Sequence, residues 1–382
     1  MNDIINQKSK LNKLKMDIDI TASIILCLYL FIDLLRFFNI IPLILGNALY
    51  VLIGSIAIIY SVFRKGIKRQ IPIFCFMFFY ISFGAIGILF NRNIDPQELL
   101  WPFAFIGLAT LFLNFKINNK IAKIIYYFVI ALLMIKIILS GGVNNLNTAS
   151  SRNTIGIMIL IYFAIYSITS YTCGKKIAIY PILLGFLVNV MAIGRSGILT
   201  FVLLIVLFSF LEFDEGKYKI SNPIKSFIKL FVAGIILWIA YNILEIYFVE
   251  MMLNFQKRGL ESVRSLIWSN YLTKTFTSAR YVLFGTPISG TYLLDAFNYN
   301  LHNSFFMLHA KYGLAPLIVV IILIVKSFIY FIKTKNALYF MILLSVVFRM
   351  QFDYTNFNAQ LDIILFYFMF FPYIKNEYNT KI

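Results

Sequence analysis

Eight arginines of this 382-residue chain, Arg36, Arg92, Arg152, Arg195, Arg258, Arg264, Arg280 and Arg349, fall on one side of its apolar stretches, while most of its lysines gather on the other. A guanidinium is a permanently charged planar fork that pairs bidentately with phosphate or carboxylate, whereas an ammonium is a hydrated point charge. The arginine side therefore reads as a surface built to hold phosphate. The plainer reading of the net charge of +18 is membrane topology: basic residues flanking a span are retained in the cytoplasm and touch anionic headgroups. That accounts for the lysines. It does not account for the arginines, which work against the same rule and cost up to about 2.5–3.5 kcal/mol each if drawn to mid-membrane depth.

The two sides are defined by the elements that must position these residues. Hydrophobic residues make up 61% of the chain and charged ones 13%, and apolar stretches of about 20 residues, the length that crosses a bilayer, recur from end to end. The pattern predicts an all-α polytopic integral membrane protein, a single membrane-embedded domain over 1–382. Twelve helices are expected, near 18–38, 42–63, 71–90, 99–115, 121–139, 154–173, 177–194, 196–212, 229–249, 304–332, 336–352 and 360–374. The pair around Gly194 is closely spaced, and Pro316 inside the tenth segment predicts a kink or partial re-entry.

Orientation follows from the short loops. The run Lys8, Lys10, Lys13 and Lys15 starts in the cytoplasm; alternation then collects Arg64, Lys65, Lys68, Arg69, Lys116, Lys120, Lys123, Lys175, Lys176, Lys217, Lys219, Lys225, Lys229, Lys326, Lys333, Lys335, Lys375 and Lys381 there. Both termini are expected to be cytoplasmic. The outer half keeps the eight arginines with Lys136, Lys257, Lys274 and Lys311. The first apolar segment reads as a retained anchor and not as a cleavable signal.

One loop is long. Residues 250–303, between the ninth and tenth helices, form an extracytoplasmic segment carrying Lys257, Arg258, Arg264, Lys274 and Arg280 and ending at His302. Within it Leu260, Val263, Ile267 and Tyr271 recur at helical spacing with Trp268 beside them, predicting an amphipathic interfacial helix over 259–276. The alternative for that helix is a plain membrane anchor whose basic residues snorkel to headgroups. The run Phe284-Gly285-Thr286-Pro287-Ile288-Ser289-Gly290 is turn-forming.

Several classes are disfavoured. No GxxxxGK[ST] loop or GxGxxG turn is present, so an energised substrate must arrive already activated. Cys27, Cys75 and Cys173 lie inside expected helices without CxxC or CxxH spacing and read as small core residues. The outer carboxylates Asp95, Glu98, Glu250, Glu261, Asp295, Asp353 and Asp362 are scattered, with no close acidic pair, which speaks against a metal-dependent transferase.

The string Arg264-Ser265-Leu266-Ile267-Trp268, then Gly285 to Gly290, His302-Asn303-Ser304-Phe305-Phe306 and Lys311-Tyr312-Gly313-Leu314, resembles the signature of the O-antigen ligase and polysaccharide polymerase superfamily. Gly194-Arg195-Ser196-Gly197-Ile198 is similar to that superfamily's second motif, while Pro287 and Ser289 depart from its denser glycine pattern. The resemblance implies a metal-independent, inverting membrane glycosyltransferase with no cofactor. It would use a polyprenyl-pyrophosphate-linked oligosaccharide at the external face of a bacterial plasma (inner) membrane.

On that reading Arg152, Arg195, Arg264 and Arg280 neutralise the pyrophosphate leaving group, and His302 takes the proton of the acceptor hydroxyl. Arg152 opens the sixth helix, where a positive side chain opposes the helix dipole. His309 reads as packing, and Arg36, Arg92, Arg258 and Arg349 as structural or headgroup contacts. Expected partners are the lipid-linked oligosaccharide, membrane lipids and a chain-length regulator, with no nucleic acid. A polymerase joining lipid-linked repeat units is the favoured reading. The alternatives are a ligase that hands the glycan to lipid A core and, from another class, a flippase or exporter of the same lipid.

Overall fold

A chain this apolar can cross a bilayer only where every backbone N–H and C=O is satisfied within its own segment, which selects helices. The computed structural model describes residues 18–91, 95–143, 146, 152–214, 217–258, 264–290, 299–357 and 359–375. The first half runs α1 Ile20–Phe37, α2 Leu43–Lys65, α3 Ile67–Asn91, a 3-10 turn Pro96–Leu100, α4 Trp101–Asn114, α5 Asn119–Leu139, α6 Arg152–Thr172, α7 Tyr180–Met191 and α8 Arg195–Ser209. A two-stranded hairpin follows, β1 Leu211–Asp214 against β2 Lys217–Ile220, antiparallel with Leu211 opposite Ile220 and Glu212 opposite Lys219. The second half is α9 Pro223–Ile243, α10 Glu245–Arg258, α11 Arg264–Thr275, α12 Ala279–Phe284, α13 Ser304–Tyr312, α14 Leu314–Lys333, α15 Ala337–Met350 and α16 Asp362–Lys375.

Among the described residues, eight segments are long and apolar enough to cross a membrane: α1, α2, α3, the stretch Pro96–Asn114, α5, α6, α9 and α14. Four shorter apolar helices, α7, α8, α15 and Asp362–Ile374 of α16, accompany them. Their faces are dressed for lipid, with Ile44, Phe63, Leu139, Phe227 and Trp238 each more than 60% exposed. In water such a surface would drive association. The protein is an all-α polytopic membrane protein.

Burial sets the layers. The span Arg152–Thr172 is 83% buried and forms the centre, whereas Pro223–Ile243 is 17% buried and lies at the rim. Polar groups in the core are tied across helices, as a lipid surround requires. Asp33 of α1 accepts from Tyr50 Oη of α2 (2.6 Å), from Tyr162 Oη of α6 (3.0 Å) and from Gln360 Nε2 beside α16.

Several lysine-bearing junctions gather at one end of the bundle. Asp19 N–H donates to Lys116 O, Cys173 Sγ reaches Ile117 O and Tyr218 Oη lies 2.6 Å from Ile177 N, which gathers the start of α1, the α4–α5 and α6–α7 junctions and the hairpin at one end of the bundle. Arg152, Arg195 and Arg264 meet at the other.

Three expected elements take a different shape. The tenth segment is two helices, α13 and α14, parted at Gly313 (φ +83°). A side chain there would run into Leu283 O and Phe284, so the break is imposed by the close passage of α12. Pro316 falls in the first turn of α14, where its missing N–H is tolerated. The ninth segment starts earlier, at Pro223, and gives way at Leu244 to a separate α10. The apolar stripe of α11 is packed on protein: Ile267 and Tyr271 are 1% exposed against Ile288, Leu301, Met307 and Ala310. Lys8, Lys10, Lys13, Lys15, Arg92, Leu260, Glu261, Val263, Asp295 and Lys381, and the side chains of Lys257, Arg258 and Lys375, lie outside the described residues.

Candidate anion site

Arg195 owes its position to a tight turn. After α7 the chain passes through Ile193 in the left-handed region (φ +53°), a strained conformation for a β-branched residue. Gly194 donates to Asn189 O (3.1 Å) and caps α8, of which Arg195 is the first residue. Beneath the turn, Asn189 Nδ2 donates to Gly185 O (2.8 Å), and its amide lies between Gly156 of α6 and Gly197 of α8. A Cβ on Gly197 would collide with Asn189 Oδ1, so the motif glycine is required for the close approach of these helices.

Arg152, Arg195 and Arg264 share a cavity of about 220 Å³ with Asn153, Ile193, Ser196 and Asn254. That is far more than the roughly 10–15 Å³ one water needs. Arg195 is the first residue of α8, which Gly194 caps. A cation at a helix N-terminus opposes the macrodipole, at a cost of about 0.3–1 kcal/mol where an anion would gain as much. That placement makes sense if the helix end and the guanidiniums face a common anion. Among the described residues, Ser196 Oγ and Asn254 Oδ1 are buried without a hydrogen-bond partner, which adds unspent polar capacity to the same lining.

His302 sits immediately before α13 with φ +50°, its N–H donating to Asn300 Oδ1 (2.8 Å). The next residue, Asn303, caps α13 by accepting from Phe305 and Phe306 N–H. The imidazole Nδ1 lies 3.4 Å from Asp353 Oδ1, looser than the about 2.7–3.2 Å of ordinary N–H···O bonds. Asp353 Oδ2 is 3.5 Å from Arg349 Nη2, and the same Nη2 donates to Asn153 O (3.2 Å) at the cavity wall. Burial pushes the Asp353 carboxyl up, but the hydrogen bond with His302 and the charges of Arg349 and Arg264 outweigh it and hold the group below its ordinary value. Burial lowers the Arg264 guanidinium, with Asp353 opposing. The arginine cavity and the His302–Asp353 pair are joined through Arg349, whose Nη2 meets both Asp353 Oδ2 and Asn153 O of the cavity lining.

Arg280, expected with the other three, is not in this lining. Its Nη2 donates to Phe90 O (2.9 Å) and its guanidinium lies 5.0 Å from the centre of the Phe90 ring, tying α12 to the end of α3. Arg349, read from sequence as a structural or headgroup contact, is fully buried and one hydrogen bond from the cavity lining, at Asn153 O. Asp353 was one of several scattered carboxylates; its i,i+4 spacing from Arg349 was the available signal. Asn254 carried no signal, because nothing in the sequence around it marks which polar residue of α10 the fold brings to the cavity.

The segment around His302 is held by α11. Trp268 Nε1 donates to Leu301 O (2.8 Å) and its ring meets Phe306 edge-on. Tyr271 Oη lies 2.6 Å from His309 Nδ1, and His309 Nε2 is 2.8 Å from Val282 O. A carbonyl only accepts, so Nε2 carries the proton and Nδ1 accepts from the tyrosine. Burial pushes His309 down from its ordinary value, consistent with this neutral tautomer. His309 is therefore a joint between α11, α12 and α13.

The arrangement can hold a doubly charged phosphate group among three guanidiniums and present an oriented, part-exposed imidazole nearby. Comparisons with family models, with curated proteins and with solved structures return no match.

Proposed function

We propose that the protein is a glycosyltransferase that takes a glycan from a polyprenyl-pyrophosphate carrier and joins it to another lipid-linked repeat unit, as a polymerase of bacterial surface polysaccharide. The observation that carries this reading is the convergence of Arg152, Arg195 and Arg264 on one cavity, whose wall at Asn153 connects through Arg349 and Asp353 to His302. The acceptor hydroxyl oxygen attacks the anomeric carbon while the bond from that carbon to the pyrophosphate oxygen breaks. The electron pair leaves with the pyrophosphate, and the hydroxyl proton passes to His302 Nε2. The arginines neutralise the charge that develops on the leaving group, the part a divalent cation plays in other transferases. Asp353 keeps the imidazole proton on Nδ1, so that Nε2 is the free base.

The finer topology belongs to the same reading. The eight long spans and the four shorter helices together make the twelve crossings, with both termini cytoplasmic and residues 250–303 outside a bacterial plasma membrane. Helices α7 and α8, of 12 and 15 residues, span about 18 and 22 Å at 1.5 Å per residue, short of the roughly 30 Å hydrocarbon core. Such a short pair lets Arg195 sit below the outer surface, where a lipid-borne pyrophosphate arrives.

The test is to mix purified protein in liposomes with a defined polyprenyl-pyrophosphate repeat unit and a chelator, without nucleotide, and to resolve the glycolipids by size. A ladder spaced by one repeat is the expected product. Transfer only when lipid A core is added makes the protein a ligase, and neither product with a proven substrate favours an exporter.

A further inference from the structure

Helices α15 and α16 are joined by residues 351–361, the segment that carries Asp353. The carboxylate is aimed by its own turn: Tyr354 N–H donates to Asp353 Oδ1 (3.1 Å), the same oxygen that faces His302 Nδ1 at 3.4 Å. The segment is stiff further along as well. Phe357, fully buried, is held in the left-handed region (φ +64°), where a non-glycine residue persists only if its surroundings over-determine it. Asp362 supplies part of that hold by accepting from Phe357 N–H (2.7 Å) and Ala359 N–H (3.2 Å), and Tyr354 Oη donates to Phe357 O (2.6 Å). A stiff turn with a preset carboxylate meets His302 in register only if the whole turn is placed correctly against α13.

That placement falls to Ser304, the first residue of α13. Its side chain is fully buried, and a hydroxyl has one donor and two acceptor lone pairs. All of this capacity is spent on the Asp353 turn: Ser304 Oγ donates to Asp353 O (2.9 Å) and accepts from Thr355 N–H (3.0 Å) and Asn356 N–H (3.3 Å). The helix start does not need this hydroxyl, because Asn303 already caps α13 by accepting from Phe305 and Phe306 N–H. Asn303 Nδ2 adds a longer pair of bonds, 3.3 Å each, to Gln351 O and Oε1, and Arg349 Nη2 stands 3.5 Å from Asp353 Oδ2, the oxygen not shared with His302.

We propose that Ser304 is a positioning residue for the His302–Asp353 pair. By pinning the Asp353 turn to the helix that follows His302, its hydroxyl keeps the carboxylate opposite Nδ1 and so keeps the imidazole proton on Nδ1. Ser304 acts through Asp353 and touches neither donor nor acceptor. Its consequence for turnover rests on the transferase reading, in which His302 Nε2 is the base; its consequence for the imidazole does not.

The chain has two histidines, so nitrogen NMR of the purified full-length protein carrying isotope-labelled histidine reads His302 directly, with His309 of the same helix as the control for folding. At about pH 8.5, above the ordinary histidine value, the wild type should show His302 with its proton on Nδ1. Ser304→Ala, and Ser304→Cys as a variant that keeps the side-chain volume, should give a mixture of the two tautomers, as should Asp353→Ala, with His309 unchanged. In the ladder assay Ser304→Ala should lower turnover about tenfold and should cost nothing further on the Asp353→Ala background. A hydroxyl that only stabilises the fold would leave the His302 tautomer of the folded variants as in the wild type, and that result overturns the proposal. So does a wild type with the proton on Nε2, or additive losses in the double variant. A shifted tautomer in a protein that makes no ladder upholds the positioning role and removes the transferase reading.

Discussion

Asp353 faces His302 across 3.4 Å with one carboxylate oxygen and Arg349 across 3.5 Å with the other, so one side chain both orients the proposed base and neutralises a fully buried arginine. Asp353→Asn should therefore fail in two ways. Turnover should drop by about tenfold to hundredfold as the imidazole loses its charged partner, and stability should fall because Arg349 is stranded, a change of about 3–5 kcal/mol for a buried pair. Adding Arg349→Met to Asp353→Asn should recover stability without recovering turnover. Thermal unfolding in detergent beside the ladder assay checks both halves; a double variant no more stable than the single one refutes the pairing. The Asp353 carboxyl is held below its ordinary value. Its contribution is then present above about pH 4, the unfolded carboxylate value, and is lost as pH falls through the lower folded value.

Arg264 and Arg280 separate the site from its surroundings. Arg264→Lys keeps the charge but loses the fork, and should weaken turnover at least tenfold. Arg280 is committed to Phe90, so Arg280→Ala should loosen α12 and leave pyrophosphate affinity within about twofold of wild type, since it lies off the phosphate-holding guanidiniums. Equal losses of affinity in the two variants would bring Arg280 back among the phosphate ligands.

The sequence alone places Arg152, Arg195 and Arg264 on one face, because topology and residue type are enough to sort them. It groups Arg280 with them, and its spacing from Arg264 says nothing about a partner 190 residues away at Phe90. Burial of Arg349 is equally hidden: the residue looks like a helix-end cation until α6 packs over it through Asn153 O. The break at Gly313 is legible only with α12 beside it, and Pro316 draws attention to the wrong residue.

Gly197 and Asn189 should behave as a coupled pair. Gly197→Ala places a methyl into Asn189 Oδ1, an overpacking of about 1–3 kcal/mol, and shifts Arg195 two residues away. Asn189→Ala on the same background opens the space and should restore most of the lost stability. Simple additivity in the double-mutant cycle would mean that the two do not touch.

His309 gives α11 a dependence on acid. Its folded value is depressed by burial, so the neutral joint with Tyr271 and Val282 O contributes fully above about pH 6.5, the ordinary histidine value. That contribution is lost as pH falls through the lower folded value. Protection factors across Arg264–Thr275, that is, exchange rates corrected for the intrinsic pH dependence of amide exchange, should therefore fall at acid pH in the wild type. In His309→Gln the two pH conditions should give the same protection factors; a persisting difference would assign the effect to another group.

Arg152, Arg195 and Arg264 are proposed to hold a lipid-borne pyrophosphate. The most direct measurement is binding of a polyprenyl pyrophosphate to the purified protein in nanodiscs, wild type against each arginine→Ala variant and His302→Ala. Binding should be saturable and competed away by inorganic pyrophosphate, weakened about tenfold or more by each arginine change and kept by His302→Ala, which still makes no product. Wild-type affinity in Arg264→Ala and Arg195→Ala would contradict it.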